Sequence, residues 1–442
     1  MDTPIYDFLQ NYKARKFSRF HMPGHKGEGD LGAEALDITE ISGADNLYDP
    51  SGIILQSEQN ATALFGSYHT YFSPEGSTHC IKTMLAAVCE GKKKRILAGR
   101  NAHKAFIYGA AALDLEVDWV YGEGGHLCSA DITAHDIETH LKAQNYTAVY
   151  LTSPDYLGNI LPISEISAVC KKYNVPLLVD NAHGAYLKFL NPSMHPIDLG
   201  ADMCCDSAHK TLPVLTGGAY LHIKTEKYAP KIRKHLAFFG STSPSYLIMA
   251  SLDLCNKYLV ENMRDDLENT LKMVEEIKAE AVAGGFSVLN TEPMKICINL
   301  ADSGYKKSEF LFLLACEGME IEFCDETFAV FMLSPKNSEE DFNRLKAFFA
   351  KTRGKKALAP SLPSIIKGER AKSIREALLG ESERILSIAA AGRICASPLC
   401  SCPPAVPVVI SGEVITEAHI TALLHYGFEE IEVLKLNKNK IF

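Results

Sequence analysis

Long apolar runs are missing from this sequence. None approaches the roughly 18–20 residues that a membrane-crossing helix needs. The opening stretch, MDTPIYDFLQNYKARKFSRF, has no apolar segment followed by a small-residue cleavage site, so no secretion signal is read there. The expected address is the cytoplasm, with no membrane partner. A basic excess is missing as well. Lys and Arg number 45 against 54 Asp and Glu, a formal net charge of −9, whereas a dedicated nucleic-acid binder usually carries a basic domain. Internal repeats and low-complexity tracts are absent. What is present is ordinary for a globular chain: 442 residues, 47% hydrophobic and 22% charged, enough for two to three domains.

Cysteine is plentiful, but metal and disulfide spacings are not. Thirteen cysteines are an odd number and cannot form a complete intrachain disulfide set. The close sets, Cys204-Cys205 and Cys400-x-Cys402, lack the two-residue gap of a zinc knuckle. Buried reduced thiols are expected. His21-Met-Pro-Gly-His25 offers no metal pair either, because Pro23-Gly24 breaks the helix that would set two histidines on one face. No metal is expected.

Between about residues 55 and 225, short apolar runs alternate with amphipathic segments. The runs are Arg95-Ile-Leu-Ala, Val117-Asp-Trp-Val-Tyr, Ala148-Val-Tyr-Leu-Thr, Pro176-Leu-Leu-Val-Asp and Asp202-Met-Cys-Cys-Asp; the helical segments include Ser57–Phe65 and Ile163–Tyr173. This pattern predicts an α/β fold with a mainly parallel central sheet flanked by helices. A strongly helical stretch covers residues 245–283, and Gly284-Gly285 opens a second pattern of strands and helices. Its strand candidates are Phe286–Leu289, Lys295–Leu300 and Phe328–Leu333. Its helices are Ser338–Thr352 with Ser338 as N-cap, Ser373–Ala391, and one beginning near Thr416. A linker at Gly354–Ser364 carries Pro360 and Pro363. The expected organisation is an N-terminal arm (1–54), a large domain (55–285) and a smaller C-terminal α+β domain (286–442).

In a parallel sheet the ligand lies outside the C-terminal strand ends, so the polar residues there carry the chemistry. Lys210, in Asp206-Ser-Ala-His-Lys-Thr-Leu-Pro213, follows a strand and is expected in a loop; a partly neutral amine there can form a Schiff base with an aldehyde. A loop lysine that is merely solvated is the plain alternative. Asp180 ends the strand Leu177–Val179. A carboxylate backed by apolar residues needs a cation or donors, which a pyridinium nitrogen would supply; capping the next helix is the other reading. His183, three residues on, could reach the same ligand. Gly76-Ser77-Thr78 opens a helix and offers backbone N–H groups and hydroxyls to a phosphate, or serves as a plain cap. His103, in Arg100-Asn-Ala-His-Lys104, places an imidazole at the same sheet edge. A phosphate cup, a ring to stack, a carboxylate and an amine together describe a pocket for pyridoxal phosphate.

These stretches, with others in the same order, resemble the ornithine/lysine/arginine decarboxylase family. Phe20-His-Met-Pro-Gly-His-Lys-Gly27, Asp37-Ile-Thr-Glu40 and Asp45–Gly52 look like its opening segments. Arg100–Lys104, Ser153-Pro-Asp-Tyr-Leu-Gly158, Val179–Gly184 and Ser207–Leu212 continue it. Ser241-Thr-Ser-Pro-Ser-Tyr246, Pro403–Pro407 and Ser411-Gly-Glu413 complete it. The length is similar to that of the shorter members. The resemblance implies the type I fold of pyridoxal-phosphate enzymes, pyridoxal 5'-phosphate as cofactor, and decarboxylation of arginine, lysine or ornithine to CO2 and a di- or polyamine. It implies that Lys210 carries the Schiff base, that Asp180 pairs with the ring nitrogen and that His103 stacks on the ring. Ser77, Thr78, Ser207 and His209 hold the phosphate region, and His183 lies near the phenolic oxygen. Thr242 and Ser243 resemble residues that reach a neighbouring subunit's phosphate, which implies a homodimer or higher even oligomer with shared active sites.

Three departures leave the substrate open. Ala405 stands where the family motif usually has Gly, Asn181 where many short members carry Glu, and His79-Cys80 is atypical after the cradle. Lys210 or His209 is the expected proton donor to the substrate α-carbon. Glu320, Glu322, Asp325 and Glu326 are candidate receptors for a basic side chain, or a solvated acidic run. The alternatives are another type I activity, such as an aminotransferase or C–S lyase, and a non-catalytic relative, against which the intact Lys210, Asp180 and His103 argue.

Overall fold

A computed structural model describes residues 1–89, 94–122, 126–359, 366–399 and 405–436. Pro360 and Pro363 of the linker, Cys400, Cys402, Pro403 and Pro404 lie outside the described residues. The chain divides into two compact units. The first comprises Met1–Glu90, Pro162–Leu271 and Ser334–Lys336, and the second Gly91–Leu161, Lys272–Leu333 and Asn337–Phe442.

The first seven strands are β1 (His69–Ser73), β2 (Arg95–Gly99), β3 (Glu116–Val120), β4 (Ala148–Thr152), β5 (Leu177–Asp180), β6 (Met203–Asp206) and β7 (Ala219–Ile223). Within the first unit the order is β1-β7-β6-β5, and within the second β4-β2-β3. β5 and β6 are parallel, as are β2–β3 and β2–β4. The fold is therefore mixed α/β with a mostly parallel sheet, as the alternating pattern predicts. One strand departs from the parallel direction: β7 runs antiparallel to both β6 and β1. All five residues of β7 are buried, so burial does not set it apart from a parallel strand.

In the first unit the helix Pro4–Arg15 gives the N-terminal arm a docked core, with Ile5 and Leu9 fully buried. Asp253, in the helix Tyr246–Glu261, accepts hydrogen bonds from the Ile5 and Tyr6 amides at 2.9 and 3.0 Å. It thus satisfies N–H groups that a helix start leaves without intrahelical partners. Glu58, fully buried in the helix Ile53–Phe65, accepts from Arg233, from His69 at 3.2 Å and from the Phe72 amide at 2.9 Å.

In the second unit, β8 (Ser287–Val288), β9 (Lys295–Asn299), β10 (Phe323–Cys324) and β11 (Phe328–Met332) form an antiparallel sheet ordered β10-β11-β9-β8. Ser338 caps the helix Glu339–Lys351 with a capping box, as expected, and Thr416 does the same for Glu417–His425. The expected helix over Ser373–Ala391 is corrected. It is a short helix, Ile374–Leu378, then β12 (Ser382–Leu386), which pairs antiparallel with β13 (Glu430–Leu434), then a 3-10 turn. Gly380 interrupts the helical run, and the distant partner strand claims the residues after it.

The core of the second sheet is aromatic. Phe310 is fully buried, with ring centroids of Phe348, Tyr305, Phe286 and Phe331 at 5.7, 5.8, 6.3 and 6.4 Å. Replacing Phe310 with alanine is expected to destabilise the chain by about 3–5 kcal/mol. A denaturant titration checks this, and a midpoint equal to wild type would contradict the packing described. Of the eleven described cysteines nine are buried, as their scatter predicts.

Candidate active site

β5 and β6 end side by side, with Asp180 in register with Cys205. Asp180 is only 2% exposed. Its Oδ1 accepts from the Ala182 amide at 3.1 Å and lies 3.8 Å from the Cys205 thiol. The carboxylate thus sits at the strand end where the sequence pattern places it. After β6 the chain does not continue as a loop. It turns into a one-turn helix, Ala208–Thr211, with Lys210 N–H on the Ser207 carbonyl at 2.9 Å and Leu212 N–H on Ala208 at 2.8 Å. Lys210 is therefore held on a short helix, a correction to the loop expectation, and Pro213 follows where a helix could not continue. The Lys210 amine, half-buried, lies 3.0 Å from His183 Nε2. His183 itself is buried, three residues beyond Asp180. The carboxylate strand and the lysine helix thus meet through one imidazole.

His209 points the other way along the same turn. Its Nδ1–H donates to the Gly218 carbonyl at 3.0 Å, and burial, only partly opposed by that bond, holds its pKa below the ordinary histidine value. A neutral ring with Nδ1 engaged leaves Nε2 as an acceptor.

Ser77 and Thr78 sit in the first turn of the helix Gly76–Val88, whose start has no side-chain cap. The Ser207 hydroxyl donates to Ser77 Oγ at 2.7 Å, so two hydroxyls from distant segments converge there. Gly76 adopts φ +74°, and a Cβ built on it would meet nothing within 4 Å, which leaves open space beside uncapped amides. The Gly76 amide donates to the Gly217 carbonyl at 2.6 Å, but a helix start with the first-turn amides of Ser77 and Thr78, two hydroxyls and room is a fit for a phosphate. The atypical His79 is accommodated behind this turn. Its Nε2–H donates to the Leu236 carbonyl at 2.8 Å, and Nδ1 accepts from the Ser73 hydroxyl at 2.9 Å. Thr242 and Ser243 are exposed, in the segment whose Ser241 amide donates to Glu75 at 2.6 Å.

His103 belongs to the second unit. It caps the helix Lys104–Leu113, accepting from the Ala105 amide at 3.1 Å. The Lys104 amide donates to the Ala405 carbonyl at 2.8 Å, and the buried Arg100 guanidinium donates to the Pro407 and Val408 carbonyls at 2.8 and 3.0 Å. Two motifs some 300 residues apart in sequence are thereby joined within this unit. Ala405 takes φ +57°, a left-handed backbone that glycine adopts without steric cost; this accounts physically for the glycine usual in that motif. Of the acidic run, Asp325 is buried and accepts from His126 at 3.2 Å and from the Thr327 and Phe328 amides, each at 2.7 Å. Exposed Glu322 accepts from the Tyr156 hydroxyl at 2.6 Å. Glu320 and Glu326 are exposed.

Sequence reasoning missed the residues beneath β6. Asp206 accepts from Asn181, His195 and His222, all buried. A lone histidine in an apolar strand gives no sequence signal that sets it apart from a packed ring.

Residues 3–301 match the model of the Orn/Lys/Arg decarboxylase major domain. The chain belongs to the Orn/Lys/Arg decarboxylase family. An arginine decarboxylase of Bacillus anthracis is 28% identical over 462 residues, covering 95% of this chain and 92% of that protein. One of Bacillus subtilis is 27% identical over 463 residues, with 95% and 92% covered. The E. coli constitutive lysine decarboxylase structure superposes with a TM-score of 0.80 at 18% identity, over 98% of this chain and 82% of that one, a likeness of fold. The family span includes Ser77, Thr78, His103, Asp180, His183, Ser207, His209, Lys210, Thr242 and Ser243, while Ala405 and Glu413 fall beyond it. No helix among the described residues is long and apolar enough to cross a membrane.

Proposed function

We propose that this chain is a pyridoxal-phosphate-dependent decarboxylase of a basic amino acid, with Lys210 as the amine that attaches the cofactor. The observation that carries the reading is the meeting of Lys210 Nζ with His183 at 3.0 Å, on strand ends one of which carries Asp180. The cofactor supplies, when bound, a conjugated electron sink at the substrate α-carbon, so that CO2 can leave without its bonding electron pair.

The residues divide the remaining work. Asp180 holds a proton on the ring nitrogen, because a buried carboxylate favours a cationic partner. His183 serves the phenolic oxygen, and His103 takes the face of the ring. Ser77, Thr78 and Ser207 bind the phosphate end through hydroxyls and helix-start amides, and His209 donates to it once its Nε2 has taken a proton. Lys210, or neutral His209 after taking a proton at Nε2, delivers a proton to the α-carbon once CO2 has left. We further place the protein in the cytoplasm, as a homodimer or higher even oligomer in which Thr242 and Ser243, exposed on this chain, complete a neighbour's phosphate site.

The test is incubation of the cofactor-loaded protein with arginine, lysine and ornithine, measuring CO2 and the amine product. Release of CO2 with stoichiometric amine from one of the three is expected. Formation of a keto acid without CO2 would instead make the chain an aminotransferase.

A further inference from the structure

Behind the β5–β6 strand ends lies a buried polar cluster that the reaction itself does not use. Successive residues of a strand face opposite sides of the sheet. Cys205 turns toward Asp180, so Asp206 and Cys204 turn to the other face, where Cys204 is in register with His222 of β7. Asp206, His195, His222 and Asn181 are each fully buried. Asn181 Nδ2 donates to Asp206 Oδ1 at 2.7 Å, and the Nε2 atoms of His195 and His222 lie 3.0 and 3.1 Å from Oδ2. His222 Nδ1 is 2.8 Å from the Thr70 hydroxyl, which meets Ser67 at 2.8 Å. The Ile197 amide donates to His195 Nδ1 at 3.4 Å, so the His195 proton is on Nε2, aimed at the carboxylate. The Phe65 ring packs against both imidazoles, centroids 4.4 Å from His222 and 5.5 Å from His195.

These atoms could also be seen as metal ligands, since one ligating atom from each of His195, Cys204, Asp206 and His222 lies within 4.8 Å of the others. The hydrogen bonds favour the metal-free arrangement. A ligating His195 Nε2 would have to give up its proton, and Nδ1–H would then confront the Ile197 N–H. Three donors already satisfy the carboxylate. Burial pushes the Asp206 carboxyl up, but the two imidazoles, by charge and by hydrogen bond, outweigh it and hold the group well below the usual carboxylate range.

Asp206 is thus an ionised, rigidly held side chain between two functional strand ends. It directly precedes Ser207 and the Lys210 turn, and through Asn181 it grips the residue after Asp180. We propose that Asp206, clamped by His195 and His222, is a positioning residue that ties the strand end carrying Asp180 to the one carrying Ser207 and Lys210, and so sets the spacing of the cofactor's anchors. This rests on the cofactor reading above. It also accounts for the departure at position 181: a carboxylate there would face Asp206 across a shared hydrogen bond, whereas the amide donates.

The experiment compares the wild type with Asp206→Asn and His222→Gln, first without cofactor. Downfield imidazole N–H resonances and slow amide exchange over residues 180–184 and 206–211 are expected in the wild-type apo chain. In a folded Asp206→Asn chain, the resonances are lost and exchange accelerates in both segments together. His222→Gln keeps a donor at the same place and should retain slow exchange. Pyridoxal phosphate affinity, read by fluorescence quenching, should fall about tenfold to hundredfold in Asp206→Asn, the cost of losing a buried charged acceptor, and stay within about threefold of wild type in His222→Gln. Unchanged exchange in Asp206→Asn, or one equivalent of bound metal in the wild type that Cys204→Ser loses, would overturn the inference. A wild type with slow exchange that takes up no pyridoxal phosphate would overturn the cofactor reading instead, while the exchange comparison still decides whether Asp206 ties the two strand ends.

Discussion

Lys210→Ala is expected to lower decarboxylation by on the order of 10^4-fold, at the upper end of what a single proton-transferring group contributes, because the same side chain is both attachment point and proton carrier. The structure shows how firmly this lysine is held. The turn Ala208–Thr211 is pinned by the Lys210 amide on Ser207, by the His209 amide on Gly218 at 3.2 Å and by the His209 imidazole on the same carbonyl. The Lys210 side chain leaves this turn toward His183. Lys188, in the same compact unit, is taken by Asp198 at 2.8 Å. Two measurements check the expectation. CO2 release gives the rate, and borohydride reduction before peptide mass spectrometry locates the cofactor. The wild type should carry the added mass on Lys210 and the variant should carry none. Trapping on a different lysine, with activity within tenfold of wild type, would remove the basis of the proposed function.

Much of this site was legible in the sequence because parallel strands place their chemistry at their ends. Asp180, Ser207 and Lys210 each come after an apolar run, and all their strand residues are buried. The N-cap Ser338 was readable for the same local reason: a hydroxyl before a helix start bonds an amide three residues on. The features that stayed hidden depend on partners far away in sequence. The antiparallel direction of β7 comes from pairing with β1, some 150 residues earlier, as in Thr70 with His222. β12 exists because Glu430–Leu434 pairs with it, and its own residues, Ser-Glu-Arg-Ile-Leu, suit a helix equally well. The Asp206 clamp draws His195 from a loop and His222 from a strand, and only the folded sheet brings them to one carboxylate. Ala405 was visible as a departure, but its consequence, a left-handed residue whose carbonyl accepts from Lys104, required the backbone.

Asp180→Asn isolates the other half of the cofactor's chemistry. Asparagine keeps the shape, and its Oδ1 can still accept from the Ala182 amide, so the strand end and the neighbouring Cys205 contact need not move. The change removes the negative charge at a site only 2% exposed, where poor solvation makes a carboxylate's pull on a nearby proton far larger than in water. If that charge raises the ring nitrogen's proton affinity by about three pKa units, its loss corresponds to about 4 kcal/mol at 1.36 kcal/mol per unit. Transferred to the barrier, this is a fall in kcat of on the order of 10^3-fold. Cofactor binding should weaken far less, because the phosphate cradle of Ser77, Thr78 and Ser207 and the Lys210 attachment are untouched. The diagnostic pattern is thus a large loss in kcat with near-normal cofactor content and an unchanged unfolding midpoint. An Asp180→Asn enzyme with more than a tenth of wild-type kcat would mean that the ring keeps its proton by other means, and Asp180 would then only hold the Ala182 amide in the turn after its strand.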